Sequence, residues 1–233
     1  DSAHVWMKCH WGHFYYDTKV GTRHPRLDFD LAAAMVPALK DAGIEVIAYT
    51  GFWFETRTAR EHPDWTVRDP EGNPVIWRRL HGDADNWRSR RWGMCCPNHP
   101  EYRAYCLVHI EEVFEGYDFD GIFLDIVGEG FNWRFACHCE HCRRRYAERG
   151  IDPMTDRLAV VNAWCDWWAE LLIESKQRML KHNPKGILSL NGGPFRLSWR
   201  ALKHLDWPYT EGGENGFNPI VLRGCGLPHP QSG

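Results

Sequence analysis

Short apolar strands alternating with longer helical patterns predict an α/β fold for this chain, a (β/α)8 TIM barrel present in part. Five strand candidates, His4–Lys8, Glu45–Thr50, Gly121–Asp125, Gly186–Asn191 and Leu205–Thr210, are separated by segments of helical period. Alternation of this kind builds a parallel sheet through right-handed crossovers. The third candidate, Gly-Ile-Phe-Leu-Asp, is apolar enough in its middle to be buried on both faces, and it stops on a carboxylate. That is where a β/α barrel carries its reactive side chains, and on spacing alone it is equally where a carboxylate caps the next turn. Five units fall short of the eight that a closed barrel requires.

The first strand leads to a helix over Leu27–Ala42, with Leu31, Met35 and Leu39 on one stripe and Gly43 as its C′ residue. Pro37 is a misfit that should kink it. After the second strand, Phe52–Pro97 is long, polar and aromatic, with Arg78-Arg79 and Arg88–Arg91 as solvated charge. A stretch of this length is expected to be a functional loop at the rim. Asn98 and Pro100 start the next helix, whose buried face is Tyr102, Cys106, Ile110 and Phe114. The third strand follows, and then the longest helix, Asp156–His182, which Asn183-Pro184 ends. A weaker helix, Leu197–His204, precedes the last strand. The whole, residues 1–233, reads as one domain with a rim loop at 52–97 and a cysteine loop at 128–142. An opening at Asp1 and a close on Pro228–Gly233 suggest a piece of a longer polypeptide.

Hydrophobic residues make up 43% and charged residues 25%, with a formal net charge of −3. This composition fits a globular domain and gives no footprint for nucleic acid or an anionic membrane. No apolar run approaches the roughly 20 residues of a membrane helix. The 13 tryptophans and 8 tyrosines offer faces that stack on sugar rings, although most such residues in any fold are core.

Cys137-His138-Cys139-Glu140-His141-Cys142 is a C-x-C-x-x-C run at the start of a helix. Cys96 is a candidate for a fourth thiolate, with Cys95, His138 and His141 as alternatives. Four thiolates make the closed tetrahedral site of structural zinc, so Cys137, Cys139 and Cys142 with one of these are the expected ligands, unless the run is a set of unrelated thiols or a local disulfide. Intact thiolates favour a reducing, cytoplasmic compartment. Cys9, Cys106, Cys165 and Cys225 read as ordinary buried or half-buried thiols.

If the first strand ends near Lys8, His10 shares a rim with Asp125. Glu211 follows the last strand and is the candidate general acid/base, with Glu214 and Glu129 as competitors. Asn191 ends the fourth strand, where it could donate to a polar substrate. Trp11 and Trp53 are candidate pocket walls.

Lys8-Cys9-His10-Trp11-Gly12-His13 followed by Tyr16-Asp17-Thr18-Lys19 resembles the K-H-H-D-G-F…D-S-K segment of family 29 α-L-fucosidases, whose histidines bind the sugar. Ile47-Ala48-Tyr49-Thr50 resembles their next strand. Tyr117…Asp120-Gly121-Ile122-Phe123-Leu124-Asp125 resembles Y…D-x-I-W-F-D, whose last Asp is the nucleophile. In overall pattern the chain is similar to the hypothetical glycosyl hydrolase 6 group, in Lys8 to Leu27, in His62–Trp65, and in D-G-I-F-x-D followed by C-x-C-x-x-C. The Cys run, with Cys96-Pro97-Asn98 before a helix, resembles the zinc site of family 42 β-galactosidases and favours Cys96 over Cys95. The fucosidase His-His pair is Cys9-His10 here, so only His10 carries over.

This resemblance implies barrel strands two to six and an exo-acting, retaining, fucosidase-like glycosidase. In it Asp125 is nucleophile, Glu211 acid/base, and His10, Trp11, Trp53 and Asn191 hold the sugar. The implied partner is a carbohydrate substrate, with neither nucleic acid nor membrane, no organic cofactor, and self-association left open. The alternatives are a sugar-binding barrel fragment without catalysis and a metal-dependent hydrolase, for which the H-x-x-H spacing at His10 and His13 is a poor fit.

Overall fold

The computed structural model describes residues 1–78, 91–125, 127, 136–190 and 204–208. In chain order these residues form β1 (Ser2–Lys8), β2 (His13–Phe14), β3 (Thr22–Arg23), α1 (Leu31–Asp41), β4 (Glu45–Gly51), α2 (Thr56–Glu61), β5 (Ile76–Arg78), β6 (Arg91–Gly93), α3 (Pro100–Gly116), β7 (Gly121–Asp125), α4 (Glu140–Glu148), α5 (Arg157–His182), β8 (Ile187–Leu190) and β9 (Trp207–Pro208). One mixed sheet of seven strands runs β3-β2-β1-β4-β7-β8-β9, and β5 pairs with β6 in a separate hairpin. From β1 to β9 the neighbours are parallel and follow one another along the chain. Along these five parallel strands the order runs in one direction, without the switch in the middle of a doubly wound sheet. Only β2 turns back antiparallel on β1.

Strand pleating gives the sheet two distinct faces. Val5, Met7, Val46, Ala48, Ile122, Leu124, Leu188 and Leu190 join the large core with the buried sides of α1, α3 and α5. The opposite face is aromatic: Ile47, Tyr49 and Phe123 form a second cluster. His4 packs on Phe123 at 4.9 Å and Trp6 stacks on Tyr49 at 4.3 Å. Trp6, on this face, is 41% exposed.

In α3 the four expected residues, Tyr102, Cys106, Ile110 and Phe114, are all buried. In α1 they are not. The helix begins at Leu31 rather than Leu27, because the Asp30 side chain caps it by accepting from the Ala33 N–H at 2.8 Å. Its buried residues are Ala32 and Val36, with Leu39 half-buried, while Met35 is exposed. The stripe is rotated by one residue from the expected one. Pro37 lies on the exposed side, and the helix continues through it to Asp41. Gly43 follows at φ +72°, the left-handed C′ position. The described part of Phe52–Pro97 is not a plain loop: it holds α2, a 3-10 turn at Pro63–Trp65 and the paired strands β5 and β6. Leu197–His204 lies outside the described residues apart from His204.

Two matched latches close the N-terminal side of the sheet. Asp120 Oδ2 accepts from the Val46 N–H at 2.8 Å, and Lys40 of α1 donates to its Oδ1 at 2.6 Å. Asp206 repeats this before β9, accepting from the Leu188 N–H at 2.8 Å and from Lys176 of α5 at 2.7 Å.

At the other end, β1 carries a bulge. Trp6 pairs with Tyr49 and Lys8 with Thr50, so Met7 is the extra residue. The bulge turns Lys8 into the helix layer, where it is wholly buried and donates to Glu55 Oε1 at 2.8 Å. Glu55 also accepts from Tyr102 at 2.7 Å and from Thr58 at 2.9 Å. Phe52, Tyr105 and Phe14 surround the ammonium at 4.8, 5.0 and 5.7 Å. Lys8→Met leaves the Glu55 charge buried without its partner, and we expect it to cost about 3–5 kcal/mol. Lys8→Met with Glu55→Leu should recover most of that loss, with urea denaturation of both variants as the measurement.

Candidate functional site

At the strand ends opposite the latches, His10 and Asp125 lie on either side of Gly51. Asp125, the last residue of β7, pairs with Gly51 of β4. A Cβ on Gly51 would meet the His10 backbone nitrogen at 3.3 Å and its Cα at 3.5 Å. The missing side chain therefore lets the segment after β1 lie directly against the strand end that flanks Asp125. Asp125 is 8% exposed, and its Oδ2 accepts a hydrogen bond from the Tyr49 hydroxyl. Tyr49 sits one pleat below Gly51, so the donor reaches the carboxylate from the aromatic face of the sheet. A sequence reading misses this donor, because only register shows which residue of β4 lies beside Asp125.

Trp11, next to His10 with ring centroids 6.0 Å apart, is 38% exposed at the rim. Trp53 is placed differently from a pocket wall. Its ring is fully buried, stacked on Phe54 at 4.7 Å and edge-on to Trp168 at 6.3 Å, so here it packs the core. Its φ of 74° is rare for a side-chain-bearing residue. Two backbone bonds hold it there: its N–H donates to the Tyr102 hydroxyl at 3.0 Å, and its carbonyl accepts from Cys95 at 2.8 Å. Asn191, Glu211, Glu214 and Glu129 lie outside the described residues.

Beneath the rim, His109 of α3 contacts the Thr50 hydroxyl at 2.6 Å and the Tyr16 hydroxyl at 2.9 Å. Burial, reinforced by the Lys8 charge, holds its pKa well below the ordinary histidine value, so it is neutral.

The cysteines form a second centre. The sulfurs of Cys96, Cys137, Cys139 and Cys142 all lie within 4.8 Å of one another, a group that could hold a metal ion. Cys96 Sγ is 3.4 Å from Cys142 Sγ and 3.8 Å from Cys139 Sγ. A tetrahedron with metal–sulfur bonds of about 2.3 Å has edges of about 3.8 Å, so the spacing suits one ion. Burial pushes the Cys96 and Cys142 thiols up. Cys139 moves the other way, because Cys137, Cys142 and Cys96 donate to its sulfur. Neither His138 nor His141 belongs to the group, and Cys95 is buried instead beside Glu55 and Cys106. The remaining described thiols, Cys9, Cys106 and Cys165, are buried or half-buried, and Cys225 lies outside the described residues.

Among solved structures, α-L-fucosidase isoenzyme 2 from Paenibacillus thiaminolyticus matches with a TM-score of 0.67 and 30% identity, over 82% of this chain and 27% of that one. A β-galactosidase from the Antarctic haloarchaeon Halorubrum lacusprofundi matches with a TM-score of 0.61 and 19% identity, over 90% of this chain and 36% of that one. For the β-galactosidase of Bacillus circulans sp. alkalophilus the values are 0.59 and 18%, over 94% and 37%. At these identities the galactosidases speak to the fold alone. The chain spans between 27% and 37% of the length of these three structures. No curated protein matches it in sequence. The family model for hypothetical glycosyl hydrolase 6 matches residues 1–126, the stretch that carries His10, Gly51 and Asp125. With more than half its length in that match, the chain belongs to the hypothetical glycosyl hydrolase 6 family.

Proposed function

We propose that the parallel strands are a sector of a (β/α)8 barrel and that the polypeptide carrying them is a retaining, α-L-fucosidase-like glycosidase with a carbohydrate substrate. The observation behind this reading is Asp125 at the C-terminal end of β7, on the face away from the helices and beside the His10 segment. In the reaction, Asp125 attacks the anomeric carbon as the glycosidic bond breaks, giving a glycosyl-enzyme. Glu211 protonates the departing oxygen and then takes a proton from the water that releases the sugar, which requires the two carboxyl groups to stand about 5–5.5 Å apart. Tyr49 holds one Asp125 oxygen so that the other faces the sugar. His10, Trp11 and Asn191 contact the ring, and Trp53 supports that wall from the core.

For the cysteine group we propose a structural zinc ion. Cys96, Cys137, Cys139 and Cys142 would fill all four positions of a tetrahedral site, leaving none for substrate. Bound there, the ion would tie the segment before α3 to the start of α4, and it takes no part in the reaction.

In the full-length polypeptide, Asp125→Asn should lower kcat on aryl glycosides by at least about 10³-fold with the thermal transition unchanged. Undiminished turnover would remove Asp125 from the mechanism. Tyr49→Phe should lower kcat about tenfold, the equivalent of one lost hydrogen bond, in steady-state assays at saturating substrate. Cys142→Ser should reduce the zinc content measured by atomic emission to well under one equivalent and lower Tm, with kcat of the folded fraction retained.

A further inference from the structure

A hollow of about 580 Å³ opens beside Trp11, lined by Trp11, His13, His24, Thr56, Arg57, Arg60 and Glu61. Its size lies within the roughly 300–1,000 Å³ of small-molecule sites. We propose that it is a subsite for an anionic sugar unit, one bearing a carboxylate or a sulfate ester. The proposal rests on the glycosidase reading and names the chemistry of the sugar next to the one that Asp125 attacks.

The walls are built into the rim. The turn after β1 closes through the Gly12 N–H donating to the Cys9 carbonyl at 2.9 Å, and the Arg57 N–H donates to the Trp11 carbonyl at 3.0 Å. That second bond locks Trp11 to the first turn of α2. Gly12 has φ +83°, and a Cβ there would come within 2.9 Å of Thr58 Oγ1. Only glycine allows so close a fit. Across the hollow, the His24 N–H donates to the Phe14 carbonyl at 2.8 Å, setting the His13 and His24 rings 5.1 Å apart. Tyr15 stacks on His24 at 5.8 Å and meets Trp6 edge-on at 6.3 Å. A run of ring contacts thus links the hollow's wall at His24 to the aromatic face on which Asp125 stands.

The charges do not balance. Among the described residues Glu61 is the one carboxylate in the lining, and Arg57 Nε already occupies it at 2.7 Å. Arg60 is exposed and makes no ion pair among the described residues. His13 keeps a buried Nδ1 without a hydrogen-bond partner among the described residues. Burial, with His24 and Arg57 nearby, lowers its pKa, so at neutral pH it adds a hydrogen-bonding nitrogen and no charge. One guanidinium beyond the carboxylate count, with forked donors, suits a carboxylate or sulfate group. Trp11 offers an apolar face for the ring that carries it. A site for a neutral sugar would have no use for the surplus cation.

The experiment is equilibrium binding of glucuronate, glucose 6-sulfate, glucose and inorganic sulfate to the full-length polypeptide and to Arg60→Gln, at low and high salt. Glucuronate or glucose 6-sulfate should bind at least tenfold more tightly than glucose, and the tighter of the two identifies the anion. Arg60→Gln should erase that preference while leaving glucose binding and the thermal transition unchanged. Equal binding of glucose and both acidic sugars, an Arg60→Gln protein that keeps the preference, or inorganic sulfate binding as tightly as glucose 6-sulfate would each overturn the proposal. Failure of the glycosidase reading is recognised separately, by an active Asp125→Asn protein, and leaves these affinities unaffected.

Discussion

The two-residue period of β7 governs the molecule. Ile122 and Leu124 must enter the layer shared with α3 and α5, since they supply the apolar surface on which those helices rest. Once they do, Gly121, Phe123 and Asp125 have the other face. Gly121 fits because β8 lies so close that a Cβ would meet the Ile187 carbonyl at 2.5 Å. Phe123 joins Tyr49 and Ile47, and Asp125 emerges above them at the strand end. A shift of one residue would bury the carboxylate under the helices and expose Leu124. Hydrophobic burial across the sheet thus decides where the carboxylate stands, and Tyr49 then orients it.

The same reasoning explains why a lysine is buried under the rim. Without the bulge at Met7, simple alternation would put Lys8 on the aromatic face beside Trp6. With it, Lys8 enters the helix layer, and Glu55, Tyr102 and Thr58 satisfy the pair. A buried ion pair gives little net stability, yet breaking it is costly, so it holds geometry more than it adds energy. The geometry held here is the junction of β1, the segment after β4 and the first turn of α3. His10 and Trp11 follow β1 directly, and the Tyr102 hydroxyl that donates to Glu55 also anchors the Trp53 backbone.

Much of this was legible in the residues. Gly121–Asp125 was read to the residue because an apolar run bounded by Gly and Asp has few other uses, and α3 because Pro100 opens it and its stripe repeats every four residues. Spacing grouped Cys137, Cys139 and Cys142, while the choice of Cys96 over Cys95 needed the family resemblance. What escaped was set by contacts between distant segments. In α1 the alanines make several stripes nearly equal, and the sheet selects Ala32 and Val36. Within Phe52–Pro97 the strands are three residues long, too short for any period to register. Tyr49 and Gly51 gain their roles only through register with β7, and the hollow beside Trp11 exists only because α2 packs on the turn after β1.

The Lys–Asp latches at Asp120 and Asp206 invite a different thought. Each ties a helix, the second residue of one strand and the lead-in to the next through a lysine and a backbone N–H on one carboxylate, and neither touches the far end of the sheet. The frame is stitched unit by unit along its lower edge. Insertions, deletions and new residues in the upper loops can therefore accumulate without unpicking the seam, which leaves this scaffold free to change what it recognises while keeping its shape.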